Sequence, residues 1–327
     1  MNKIFSKIIN FWGFSLLLCS NKADVITKCE EHAEIAGIPI TFKDLSVQYR
    51  GPIVSIIDGN KNSINFDRKT NTLELKVLWE NIQNQSSTLK NLIGQMISYV
   101  CWSNKVYPIH SASVSKDGHT ILLLGDSASG KTNLSYVLAK HKGYEWLGND
   151  WIGLSYFNNA VTVEKGRDLI NFSTLACKQL QAAGFNLDIP DRCLHITSTN
   201  AWSKTRYYTC VELRLTPGHL PSKVDSVIFL NIQQGEECSL EKVPPNIAIN
   251  SILKELVWPL RGCGSFVIDN RGHVILPSVS IQPEGGWGQA CHLANEIIDG
   301  CKIFHLSGSL KSVFTDFDFI ESKILLD

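Results

Sequence analysis

The run Ile121-Leu122-Leu123-Leu124 contains no polar residue and passes directly into Gly125-Asp126-Ser127-Ala128-Ser129-Gly130-Lys131-Thr132. A strand that is apolar at every position must be covered on both faces, so it belongs in the centre of an α/β sheet. The eight residues after it read G-x-x-x-x-G-K-[ST]. In such a loop the glycines let the chain turn tightly and point successive N–H groups inward, where they can surround a phosphate. Lys131 supplies a cation for the β- and γ-phosphates, and Thr132 offers a hydroxyl to Mg²⁺. Leu134, Val137 and Leu138 give the next segment the apolar stripe of a helix, and Gly143 can end it. The N-terminus of that helix adds a partial positive charge to the same place. The expected nucleotide-binding residues are therefore Gly125, Asp126, Ser127, Ala128, Ser129, Gly130, Lys131, Thr132 and Asn133.

The remainder of the chain has to build a fold around this element. Its 327 residues are 44% hydrophobic, which is ample for a large core and excludes disorder over most of the length. Lys plus Arg number 31 and Asp plus Glu 31, so the net charge is zero. A neutral chain does not hold nucleic acid or an anionic membrane by bulk charge. No apolar run approaches the ~18 residues of a membrane span. The ten Cys form no CxxC pair and read as reduced thiols in a cytoplasmic protein. The best metal-ligating candidates among them, Cys291 and Cys301 with His292 and His305, match no zinc spacing. Residues 1–20 carry Lys3 and Lys7 before an apolar stretch. Asn10 and Gly13 break that stretch and no small-x-small cleavage site follows, so it reads as an element of the fold rather than a signal.

Residues 22–80 read mostly as strands. Runs at 53–57, 63–66 and 72–79, separated by turn residues, predict a small antiparallel meander. Leu89, Leu92, Ile93, Met96, Ile97 and Val100 predict a helix over 87–101. Asp117-Gly118 predicts a hairpin joining 111–115 to 119–124. Further on, 226–232 reads as a buried strand, 248–258 as a short helix, 265–276 as a hairpin, 287–298 as a helix and 302–306 as a strand. The segment 283–288 around Trp287 reads as a turn. Residues 1–84 are expected to form a mainly β region packed on an 85–327 nucleotide-binding domain. The next carboxylate after the loop helix is Asp150, at the end of a neighbouring strand.

Together, His110, the hairpin through Asp117-Gly118, the loop GDSASGKT with its helix, and Gly148-Asn149-Asp150 resemble the catalytic domain of HPr kinase/phosphorylase. They resemble more closely the related serine kinases found beside biosynthetic genes. Glu212-Leu213-Arg214, the strand over 224–230 and the closing segment 302–310 fit the same layout, and the resemblance is strongest over 85–232. It implies the phosphoenolpyruvate-carboxykinase-like version of the P-loop fold and transfer of the ATP γ-phosphoryl group to a hydroxyl. It further implies that Lys131 clamps phosphate, that Thr132, Asn149, Asp150 and Glu212 serve the metal, and that His110 supports the loop or the acceptor. The family has two Asp where this chain has Asn149-Asp150, which leaves the role of base to Asp150. Ala128 stands where the family usually has Gly, and a negative φ there would accommodate it.

These readings lead to an ATP- and Mg²⁺-dependent cytoplasmic kinase acting on a serine-type hydroxyl of a peptide or protein. A small-molecule kinase and a regulatory ATPase are the alternatives. The resemblance also suggests a homo-oligomer. Arg167, Arg192, Arg206, Arg261 and Arg271 are surface or salt-bridge residues among which sequence does not pick a transition-state cation.

Overall fold

The computed structural model describes residues 3–32, 34–35, 38–45, 48–166, 169–185, 205–232, 237–257, 267–276, 281 and 283–326. The chain divides into two compact units, residues 1–108 with 256–288, and residues 109–255 with 289–327.

The first unit begins with a hairpin of Phe5–Phe11 and Phe14–Ser20, turned by Trp12 at φ 46° and Gly13 at φ 83°. Two successive positive φ values match the right-handed twist of the strands they join. Its sheet runs in the order Thr41–Asp44, Phe5–Phe11, Phe14–Ser20, Ile53–Asp58, Thr72–Val77, Ser63–Asp67. The expected meander is corrected here. Ile53–Asp58 pairs in parallel with Thr72–Val77, and Ser63–Asp67 is antiparallel on the far side of Thr72–Val77. Burial accounts for the order. Leu73, Leu75 and Val77 are fully buried and sit beside Val54 and Ile56, whereas Ser63–Asp67 has no fully buried residue and takes the edge. Residues 23–30, read as part of a β region, form the helix Ala23–Glu30 with Val25, Ile26 and Cys29 inward. The expected long helix is Ser86–Ser103, which packs on Phe14–Ser20 and Ile53–Asp58. The hairpin expected at 265–276 is Val267–Ile268 with Val274–Leu276.

The second unit is organised by Ser222–Ile232. It lies parallel to His119–Leu124 on one side and to Lys302–Gly308 on the other. Ala112–Lys116 folds back on His119–Leu124 as the expected hairpin, and Glu145–Gly148 lies outside it. Beyond Ser222–Ile232 come Ala160–Lys165, then Trp151–Phe157, and then a short edge strand ending in Ile109 and His110. Ile121, Leu122, Leu123 and Leu124 are all buried, as an unbroken apolar run requires. The helix Lys131–His141 follows the loop and places Leu134, Val137 and Leu138 in a core shared with Ala112, Val114 and Phe304. The architecture is mixed α/β, with a strand–loop–helix unit at the carboxyl ends of parallel strands. The segment 283–288 differs from a simple turn, because Trp287 already belongs to the helix Gly286–Gly300. Among the described residues no helix is long and apolar enough to cross a membrane.

Burial pushes the thiols of Cys29 and Cys301 up from 9.0 to about 12. Their folded-state pKa exceeds the unfolded value. Their contribution to stability is therefore complete below pH 9 and is lost as pH rises from there toward about 12. In that window each such thiol weakens the folded state by about 1.4 kcal/mol per pH step. Urea unfolding at pH 8 and pH 10 measures the loss. Alkylation of the native protein is expected at exposed Cys291 well before Cys29 or Cys301.

Candidate functional site

The loop leaves the sheet where Leu124 ends its strand, at the carboxyl end of the parallel pair. That is where open α/β sheets bind ligands. Two of its positions require glycine. At Gly125, φ is +143° and a Cβ would lie 2.8 Å from the Leu230 carbonyl oxygen. At Gly130, φ is +96° and a Cβ would lie 2.7 Å from Ile232 Cβ. The loop is closed by Ser129 N–H donating to the Asp126 carbonyl at 3.1 Å. It is tied to the neighbouring strand by Ile232 N–H donating to the Ser129 carbonyl at 3.0 Å. Gly130 caps the helix without a side chain, so the first-turn N–H groups have no side-chain acceptor from the cap residue.

Ala128 is a correction. The negative φ that would accommodate an alanine is not what the loop adopts: φ is +66°, the left-handed region, where a Cβ costs about 1–2 kcal/mol. The cradle imposes this conformation on a residue that does not favour it. Ala128→Gly is therefore expected to stabilise the protein by up to about 1 kcal/mol, after the glycine's greater unfolded-state entropy is subtracted. Denaturant midpoints of the two proteins measure the difference. A loss of stability would remove the strain.

Lys131 is only 7% exposed. Its Nζ donates to the Gly125 carbonyl at 2.7 Å and the Asp126 carbonyl at 3.0 Å. Burial pushes its pKa down, and the carboxylates of Glu255, Asp150 and Asp126 oppose that shift. Thr132 Oγ1 donates to Asn149 Oδ1 at 3.0 Å, and Asn149 is almost wholly buried. The tight turn between Glu145–Gly148 and Trp151–Phe157 thus brings Asn149 to the start of the loop helix. Asp150 follows at φ +65°, and its carbonyl accepts Ser111 N–H at 3.1 Å.

The other expected residues have partners of their own. Asn133 turns away from the loop, its Nδ2 donating to Gln179 Oε1 at 3.1 Å on the helix Thr174–Ala182. Glu212 is exposed on a turn, and its Oε2 accepts Thr209 N–H at 2.7 Å. His110 has its Nδ1 3.8 Å from Glu255 Oε2 and its ring 6.0 Å from that of Trp151. Cys301 donates its thiol to the Val224 carbonyl, and His292 faces Glu296. Among the described residues no three His, Cys, Asp or Glu side chains gather as a metal cluster would need. Arg167, Arg192, Arg261 and the Arg206 side chain lie outside the described residues, and Arg271 sits in the Asp269–Gly272 turn of the first unit.

A cavity of about 680 Å³ opens over the loop. Gly125, Asp126, Ser127, Ala128 and Ser129 line one side, and the end of Ser222–Ile232 lies beside them. The helix Pro245–Val257 forms a further wall with Ile247, Ser251, Lys254 and Glu255. Sequence reading missed Lys254 and Glu255. Their only signal was an apolar helix interrupted near its end by Lys-Glu, which marks any solvated helix face equally well. Glu255 is 7% exposed, so it is a buried carboxylate beside the loop.

No protein-family model matches the chain, and no curated protein matches it. Among solved structures the chain is similar to the Hpr(Ser) kinase/phosphatase from Coxiella burnetii, at 17% identity and a TM-score of 0.22, over 42% of this chain and 77% of that one. That is at most a distant structural relationship.

Proposed function

We propose that this chain is an ATP- and Mg²⁺-dependent phosphotransferase that moves the γ-phosphoryl group to a hydroxyl acceptor, a serine-type hydroxyl of a peptide or protein. The observation that carries the reading is the loop itself. A buried ammonium, Lys131, is folded onto the loop's own carbonyls at the mouth of a parallel sheet, beside a cavity large enough for a nucleotide. Burial is the dominant influence on that ammonium, the carboxylates of Glu255, Asp150 and Asp126 offset it only in part, and a polyphosphate would add further negative charge.

The donor set suits Mg²⁺. Thr132 could offer a hydroxyl, Asn149 an amide oxygen and Asp150 a carboxylate, and phosphate oxygens and water would supply the rest, as is usual for this ion. An ion held by these groups would neutralise charge on the outer phosphates. Lys131 holds the phosphates from the loop side. Asp150 accepts the acceptor's proton as its oxygen forms the new bond to phosphorus and the β–γ bond breaks toward ADP. A loose transition state asks little of that base. Glu212, engaged by its own turn, has no part in this scheme. We place the protein in the cytoplasm, where ATP and free thiols coexist.

Calorimetry with Mg²⁺ and ATP tests binding, and ADP release with and without candidate acceptors tests transfer. ADP that appears only with a serine peptide supports the peptide kinase, and ADP that appears only with a sugar, nucleoside or amino acid supports the small-molecule enzyme. Steady release without acceptor supports a regulatory ATPase, the alternative that Asn149 keeps open by replacing one carboxylate with an amide. No heat with either ATP or ADP would overturn the nucleotide reading.

A further inference from the structure

The helix Pro245–Val257 turns one stripe toward the cavity. Ile247, Ser251, Lys254 and Glu255 are spaced i, i+4, i+7 and i+8, and all four line it. Lys254 stands at the rim, with its Nζ hydrogen-bonded to Asp126 Oδ1, the second residue of the loop. The two side chains are 63% and 76% exposed, so both are free to adjust. Lys131 contrasts with this, being buried and tied to two loop carbonyls.

Resting on the nucleotide reading above, we propose that Lys254 is a second phosphate-binding cation, directed at the terminal phosphate and held over the loop by Asp126. An ammonium has three N–H donors, and Asp126 uses one of them. The others are available to a phosphate oxygen while the carboxylate stays paired. This explains how a loop built to hold anions tolerates Asp126 at its mouth, since an unpaired carboxylate there would repel the ligand. The position also selects the phosphate. Lys131, the cation of the β- and γ-phosphates, donates to the Gly125 and Asp126 carbonyls, so Asp126 and the lysine paired with it stand beside the cation of the outer phosphates. Asp126 is the positioning residue, and Lys254 the one that touches ligand. The pairing holds the Asp126 carboxyl below its usual range and raises Lys254, as a maintained ion pair should.

Calorimetry on the full chain, with Mg²⁺ and either ADP or a non-hydrolysable ATP analogue, tests this. Lys254→Ala is expected to weaken the triphosphate about tenfold and ADP less than about twofold. Lys254→Arg should keep most of the preference, and Asp126→Asn should lose part of it. Alanine is a strong helix former and the site is exposed, so thermal unfolding of Lys254→Ala should match the parent. Equal weakening of both nucleotides, or of neither, in a folded Lys254→Ala overturns the inference while leaving the loop assignment standing. A parent protein that binds neither nucleotide overturns the loop assignment, and this inference with it.

Discussion

Lys131→Ala is expected to lower phosphoryl transfer by on the order of 10²–10³-fold, with nucleotide binding lost or severely weakened and the fold intact. The ammonium is the one charged group the loop encloses, and carbonyls of Gly125 and Asp126 hold it. In a low-dielectric site such a fixed charge acts on phosphate far more strongly than a mobile one in water. Two effects on stability oppose each other. Removing the cation relieves its burial, which is the main pressure on its pKa, but it also takes a counter-charge from buried Glu255. The urea midpoint should therefore move little while activity collapses. Stopped-assay ADP formation and calorimetry, run beside urea unfolding, separate the two. Near-parental turnover in a folded Lys131→Ala protein would remove the site from this loop.

Asp150→Asn should lower turnover by about 10²–10⁴-fold with nucleotide affinity changed far less, because Thr132, Asn149 and the phosphates would still hold the ion. The choice of asparagine matters, because Asp150 sits at φ +65°. Asparagine tolerates the left-handed region, whereas alanine would add backbone strain and confuse the reading. The adjacent Asn149 already binds Thr132 through its amide, so the variant gives the turn two amides in a row and leaves it no carboxylate. A kcat within a few fold of the parent would reduce Asp150 to a turn residue, and base catalysis would then have to be sought at His110 or Glu255.

Much of the site was legible because its parts are contiguous. An all-apolar strand, a glycine-rich turn and an amphipathic helix follow one another from 121 to 141, and each dictates its own local conformation. The hairpin at Asp117-Gly118 was legible for the same reason, as φ values of 52° and 79° need residues of that kind. The strain at Ala128 was not legible because the sign of its φ is set by the closure of the loop against Ile232, which no propensity contains. Ile53–Asp58 was read as one strand of a meander because a turn signal says that the chain reverses, not which neighbour the next strand chooses.

Lys254 and Glu255 stood outside any motif. Their helix was visible as a helix, but its period fixes only which residues share a face, and packing fixes what that face meets. Arginine is the usual second cation at a transferring phosphate, whereas the residue paired with this loop is a lysine more than a hundred positions away. Sequence by itself determined the phosphate-cradling loop, its flanking strand and helix, and the chemistry of Lys131 and Thr132, because those depend on neighbours within one turn of chain. The tertiary structure decided that the 245–257 helix walls the cavity and that Asn149 meets Thr132, because burial and strand pairing bring together segments with no local reason to meet.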